Sequence, residues 1–126
     1  MRDLESRLDV LASLVPTGAR TASANGTGID LQGYDGALVI VNADTITDGT
    51  HTPKVQESDD NSTFTDVAST DLVGTALVAI AAASVQRIAY VGAKRYIRVV
   101  VTVAGATTGG KYQAVVVRGY PSRGAL

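Results

Sequence analysis

The chain has 126 residues and a mass of 13.0 kDa, which suits a single domain with an ordinary two-layer core. Hydrophobic residues make up 45 % of the chain, which excludes general disorder, and a formal net charge of −1 argues against a nucleic-acid binder. The chain has no cysteine, which excludes disulfides, thiol catalysis and cysteine-ligated zinc, and it has a single histidine. We therefore expect a non-enzymatic protein with no metal and no cofactor.

The first sixteen residues are predicted to form a helical arm. An apolar stripe at helical spacing (i, i+4, i+7) runs along them, formed by Leu4, Leu8, Leu11 and Val15. Pro16 ends this pattern. Because a helix of this length is marginal on its own, we expect it to lie on a surface of its own domain or of a neighbouring protein.

Short β-branched segments separated by turn residues follow the arm. The predicted strands are Ala37–Ala43, Thr52–Ser58, Thr63–Val67, Val85–Val91, Tyr96–Val103 and Tyr112–Arg118. Residues 59–62, rich in Asp and Asn, predict a tight turn. Six to eight such strands indicate a mainly β protein with an antiparallel, jelly-roll-like β-sandwich. The predicted division is a helical arm at 1–16, a sandwich domain at 17–118 and an extended tail at 119–126.

The last two strands are predicted to pair as a hairpin, with Thr102 opposite Tyr112. In that register one face is almost purely aliphatic and forms the core, with Ile97, Val99, Val101, Val103, Gln113, Val115 and Val117. The opposite face carries Tyr96, Arg98 and Arg118 and is directed to solvent or to a partner.

Acidic and basic residues are segregated along the chain. Residues 1–71 carry 4 basic and 12 acidic residues, a net charge of −8, whereas residues 72–126 carry 7 basic residues and none acidic. Strands from both halves interleave in a sandwich, so two interpretations stay open. Either the molecule is electrostatically two-faced and docks by charge, or the two groups of residues neutralise each other in space.

Two short motifs suggest chemistry, but a loop explains each of them better. Residues 105–111 match the GxxxxGK pattern of a phosphate-binding loop, yet Tyr112 stands where Ser or Thr is needed and a strand follows instead of a helix. We interpret this segment as a hairpin turn. His51 has no GxSxG nucleophile elbow to accompany it, and we predict a histidine in a surface loop.

A basic strand face with tyrosine is the candidate interaction site. Such a face is typical of proteins that grip single-stranded nucleic acid, but one or two tyrosines make a poor stacking platform, and we favour a protein interface. The candidate interface residues, from this face, the arm and the tail, are Leu4, Leu8, Leu11, Lys94, Tyr96, Arg98, Arg118 and Tyr120.

Several runs of the sequence point to a family. The most recognisable are QESDD-x-x-x-F-x-DV, at residues 56–67, and KRYIRV, at 94–99. From about Arg20 to Ser122 the chain resembles small proteins encoded among the head genes of tailed bacteriophages. The resemblance implies a structural role in the virion and provides no catalytic residues.

Within the virion we expect a capsid decoration, or cement, protein that bridges subunits of the major capsid protein. Arms exchanged between neighbours would make many weak contacts durable, and a homo-oligomer, with a trimer favoured, fits this role. No secretory signal or membrane span is visible, so the expected location is the capsid surface after synthesis in the host cytoplasm. The alternatives are a head–tail connector or tail component and, from another class, a glycan- or receptor-binding module.

Overall fold

The computed structural model describes residues 8–15 and 17–121, with the side chains of residues 120 and 121 excepted. The described residues form ten strands and a single 3₁₀ turn at Ser69–Asp71. The strands are β1 (Asp9–Leu14), β2 (Ala24–Asn25), β3 (Ile29–Asp30), β4 (Tyr34–Ile46), β5 (Thr50–Ser58), β6 (Thr65–Asp66), β7 (Leu72–Val73), β8 (Val85–Tyr90), β9 (Tyr96–Ala104) and β10 (Gly110–Pro121).

These strands build two antiparallel sheets. The first sheet has the order β1-β10-β4-β8-β7, and the second has the order β2-β9-β5-β6 with β3 also paired to β9. Buried residues of both sheets form one hydrophobic cluster between them, so the arrangement is sandwich-like. The predicted mainly β, antiparallel fold is confirmed. The turn at residues 59–62 is also confirmed, since the Asp60 carboxylate accepts hydrogen bonds from the backbone N–H groups of Ser62 and Thr63.

The core is made of small aliphatic side chains that alternate inward along the central strands. The first sheet contributes Val39, Val41, Ile88, Ala114 and Val116, and the second contributes Val55, Ile97, Val99 and Val101. All nine are at most 4 % exposed. The predicted inward face of β9 is therefore correct for its first three residues, while Val103 is only partly buried.

A polar contact joins the two sheets at each end of this core. At one end the Tyr90 hydroxyl of the first sheet donates a hydrogen bond to Glu57 of the second, at 2.8 Å. At the other end the Tyr112 hydroxyl lies 2.9 Å from Nδ1 of His51. Burial raises the pKa of both tyrosine hydroxyls, so both stay protonated and able to donate.

The helix predicted for the N-terminal arm is wrong where the structure describes that segment. Asp9–Leu14 is a strand that pairs antiparallel with β10, from Asp9 opposite Arg118 to Leu14 opposite Ala114. A short apolar run is compatible with both the helical and the strand period. The open edge of β10 favours the strand, because it supplies main-chain hydrogen-bond partners, whereas an isolated helix of this length is marginal. Residues 1–7 lie outside the described residues. At the other end β10 continues to Pro121, so it includes the start of the predicted tail.

The hairpin predicted for the last two strands is also wrong. β9 pairs with β5, whereas β10 pairs with β4 and β1, so residues 105–109 cross from one sheet to the other. The inward face of β10 is consequently Tyr112, Ala114 and Val116, and its outward face is Gln113, Val115 and Val117, the reverse of the prediction. A hairpin fixes which residues share a face, and a crossover between sheets removes that constraint.

Candidate interaction surfaces

The outer surface of the first sheet is apolar. Residues paired across an antiparallel sheet share a face, and one row crosses all five strands through Val10, Val117, Leu38, Ala89 and Val73. A second row holds Ala12, Val115, Ile40 and Arg87, and a third holds Gln113, Asn42 and Val85. We call these twelve residues the apolar face. Arg87 is its single charged member.

The edges of the apolar face are open to solvent. Val10 is 57 % exposed on β1, Val73 is 58 % exposed on β7 and Val85 is 66 % exposed on β8. Sequence analysis missed this surface, although a signal for it exists. The runs LVIV at 38–41 and AVVV at 114–117 do not alternate with polar residues, a pattern typical of strands covered on both faces.

The outer surface of the second sheet is polar and partnered within the chain. Arg98 donates two hydrogen bonds to the Gln56 side-chain oxygen, at 3.0 and 2.8 Å, and its guanidinium lies 4.1 Å from the ring centre of Phe64. Asp66 accepts hydrogen bonds from Gln56 and Lys54, which lower the pKa of its carboxyl. We call this surface, with Thr52 and Thr102 at one end, the polar face.

The predicted interface residues do not form one patch. Tyr96 and Arg98 lie on the polar face, while the ammonium group of Lys94 lies 2.7 Å from the Asp59 carboxylate. Leu8 and Leu11 lie on the edge beside β10 and are 40 % and 36 % exposed. Leu4 and the side chain of Tyr120 fall outside the described residues.

Arg118 belongs to the other sheet and is mostly enclosed. Its guanidinium forms an ion pair with Asp9, donates to the Asp30 carbonyl at 2.8 Å and stacks 4.4 Å from the ring centre of Tyr34. The side chain is 16 % exposed. Arg118 therefore ties β1, β3 and β4 to β10.

The segregation of charge along the chain does not persist in space. Four ion pairs join described residues, and three of them link the acidic first part to the basic second part: Arg118–Asp9, Arg95–Asp30 and Lys94–Asp59. The fourth is Lys54–Asp66. The described strands thus interleave the two halves, which favours neutralisation over an electrostatically two-faced molecule.

His51 is buried, and its prediction as a surface-loop residue is wrong. It lies on β5, is 0 % exposed and has its Nε2 atom 3.0 Å from the Asp48 carbonyl oxygen. Because a carbonyl can only accept, Nε2 carries a proton, and in neutral His51 the Nδ1 atom accepts from Tyr112. Both ring nitrogens of His51 thus have hydrogen-bond partners within the chain, which is typical of a structural histidine.

The GxxxxGK segment forms a cradle of backbone N–H groups, and the protein's own carboxylate fills it. The N–H groups of Thr107, Thr108 and Gly109 point to the carboxylate of Asp48, at 2.7 to 3.0 Å. These hydrogen bonds, with that from Gly109 foremost, lower the pKa of Asp48. A phosphate would have to displace an anion that is already in place, which argues against phosphate binding. The segment connects the two sheets and is not the hairpin turn that the sequence predicted.

Within the described residues, no cluster of three or more His, Cys, Asp or Glu side chains could hold a metal ion. None of the helical structure described there is long and apolar enough to cross a membrane.

Comparison with known proteins assigns the family. The model of the Bbp16 family matches residues 15–116, which is most of the chain. The chain belongs to the Bbp16 family. No curated protein matches it.

Two solved structures are similar in fold. YomS, a protein derived from the SPBc2 prophage, superposes with a TM-score of 0.53 at 14 % identity, over 88 % of this chain and 91 % of that one. A chain from the disulfide-linked pili of Bacillus endospore appendages gives a TM-score of 0.48 at 14 % identity, over 92 % of this chain and 90 % of that one. At this identity the likeness to YomS concerns the fold alone.

Proposed function

We propose that this Bbp16-family protein is a non-enzymatic structural component of a bacteriophage virion that decorates the capsid and bridges subunits of the major capsid protein. The observation that carries the proposal is the apolar face, an outer sheet surface on which nine of the twelve side chains are apolar and one is charged. A soluble sandwich ordinarily presents polar side chains on such a surface, and an exposed apolar patch marks an interaction site.

The dimensions of the apolar face suit one side of a protein interface. Its twelve positions, each about 4.8 Å across the strands and about 6.7 Å along them, give roughly 400 Å². A standard interface buries about 800 Å² on each partner, so the rim of the face must contribute as well. The polar face, whose side chains are already paired within the chain, is suited to remain in solvent.

Two further observations support a virion role. The sequence resembles proteins encoded among phage head genes, and YomS, which has a similar fold, is derived from a prophage. Four internal ion pairs use eight charged side chains of the described residues, which leaves fewer charges for docking and supports docking by apolar contact.

The decisive experiment is the copy number of this protein per purified particle, measured by quantitative mass spectrometry against the major capsid protein. Decoration predicts a number comparable to that of the capsid protein. A handful of copies would assign the protein to the neck or tail, and absence from the particle would refute a virion role.

A further inference from the structure

β7 ends after two residues and leaves the neighbouring edge of β8 open. It pairs with β8 only through Leu72 opposite Tyr90 and Val73 opposite Ala89. At Gly74 the backbone takes φ +123°, a conformation that favours glycine, and the chain turns away. A cleft of about 430 Å³ opens along β8 where β7 would have continued, which is within the size range of ligand-binding clefts.

The main chain of β8 presents hydrogen-bonding groups to this cleft. The N–H of Ala43 donates to the Ser84 carbonyl, so even-numbered residues of β8 bond to β4 and odd-numbered residues point the other way. The bond from the Val91 N–H to the Asp71 carbonyl agrees with this alternation. Val85 and Arg87 therefore direct their N–H and C=O groups into the cleft, and among the described residues none of these groups has a hydrogen-bond partner.

The walls of the cleft are apolar and carry one positive charge. Val73, Val78 and Val85 line it and are 58 %, 60 % and 66 % exposed. Among the described residues, Arg87 is the single charged residue of the lining, and no acidic residue belongs to it. Exposed edge strands are usually protected by charged side chains, proline, a bulge or a covering loop. Among its described residues this edge carries one charged side chain, Arg87, and neither a proline nor a bulge.

We propose that the cleft receives an extended segment of the capsid protein as an added β-strand. The segment hydrogen-bonds to the main chain of Val85 and Arg87, places aliphatic side chains against the three valines, and carries an acidic side chain opposite Arg87. The identity of the partner as the capsid protein rests on the proposed function. The extended conformation of the bound segment is inferred from the cleft itself. It also supplies contact area at the rim of the apolar face.

A second copy of the chain is a poorer occupant. Pairing β8 with the β8 strand of another molecule would bring two Arg87 side chains close together, with no acidic residue in the described part of either lining to compensate them. A strand with an acidic side chain removes this repulsion, and charge complementarity therefore favours a different protein.

The test uses an acetylated and amidated octapeptide of valine and threonine with one central glutamate, titrated into ¹⁵N-labelled protein at up to millimolar concentration. We expect amide shifts confined to Gly74, Val78, Val85 and Arg87. Replacing the glutamate by lysine should weaken binding, and N-methylation of alternate peptide nitrogens should abolish it.

The decisive variant is Val85→Pro. It removes an N–H group that faces the cleft, and it leaves the hydrogen bonds between β8 and β4 unchanged. Proline is tolerated at the first residue of a strand, and Val85 is that residue. We expect affinity for the peptide to fall about tenfold, as for the loss of one main-chain hydrogen bond. The matched control Val85→Thr keeps the N–H and the branched side chain and should bind within about twofold of the original.

Val73→Lys places a charge in the wall without altering β8 and should also weaken binding, which keeps the test valid if Val85→Pro fails to fold. Strand addition would be overturned if Val85→Pro and Val73→Lys both bound the peptide as tightly as the original protein. Amide shifts elsewhere on the protein, or no binding at millimolar peptide, would also overturn it. Self-association that Val85→Pro abolishes would show that a second copy is the occupant. This experiment needs no virus particle and is therefore independent of the copy-number measurement. If the peptide did not bind but the copy number per particle were high, strand addition would be refuted and the decoration role would stand.

Discussion

The two outer faces of this sandwich differ in how their side chains are satisfied. On the polar face Lys54, Gln56, Asp66 and Arg98 form a connected network, so the surface is complete without a partner. On the apolar face a row of aliphatic side chains crosses all five strands and ends at Val10 and Val73, both more than half exposed. Covering apolar area with protein is favourable because it removes that area from water, whereas covering a paired polar network gains little. Binding is therefore expected on the first sheet, and the predictions below test this difference.

The largest effect is expected from a charge on the apolar face. Val117→Lys should reduce binding to the particle about a hundredfold or more, since burying an unpaired ammonium group costs several kcal/mol. The matched variant Thr52→Lys puts the same side chain on the polar face and should leave binding unchanged. Co-sedimentation with particles stripped of the protein measures both, and circular dichroism checks that each variant is folded. A Thr52→Lys effect as large as that of Val117→Lys would contradict the assignment of the binding face.

Salt should separate apolar docking from docking by charge. Between about 0.15 M and about 1 M NaCl the Debye length falls from about 8 to 3 Å, which screens exposed charges but not apolar contact. We expect particle affinity to change by less than about threefold over this range, measured by the same sedimentation assay. A steep loss of affinity with salt would instead restore the docking role of the segregated charges.

A smaller effect is expected at Arg98, a predicted interface residue. Because this side chain is bonded to Gln56 and stacked on Phe64, Arg98→Ala should lower stability by about 1 kcal/mol or less and leave particle binding unchanged. Urea unfolding gives the first quantity and co-sedimentation the second. A tenfold loss of binding without loss of stability would show that the polar face also contacts the shell.

The smallest effect is a dependence of stability on pH that belongs to the second sheet. Hydrogen bonds from Arg95 lower the pKa of Asp30, on β3, to about 2. A depressed carboxyl pKa contributes stability that is complete above the unfolded value near 4 and is lost as the pH falls through about 2.

In Asp30→Asn the free energy of unfolding should therefore fall less steeply as the pH is lowered from about 4 to about 2. The difference from the original protein should be less than about 1 kcal/mol, because the ion pair is exposed. Urea unfolding at a series of pH values measures this. The apolar face contains no carboxyl group, so variants of that face should leave the acid limb unchanged. An acid limb identical in Asp30→Asn and the original protein would contradict this assignment.

Part of the interaction surface was accessible from sequence and part was not. Tyr96 and Arg98 were placed correctly on an outward face because alternation along β9 is local. Arg118 was placed with them only through the predicted hairpin, and the structure encloses it against β1, β3 and β4 instead. The apolar face was missed because an unbroken apolar run has no period by which inward and outward residues can be distinguished.

The sequence by itself determined the class of fold, most of the strands, the turn at residues 59–62 and the inward face of β9, because alternation and turn chemistry act over a few neighbouring residues. Tertiary structure alone decided which strands lie side by side. It made Asp9–Leu14 a strand by offering the edge of β10, buried His51 between two partners, and filled the GxxxxGK loop with the carboxylate of Asp48. It also left β8 with an open edge. Each of these outcomes depends on contacts between residues far apart in the chain, and no local pattern encodes them.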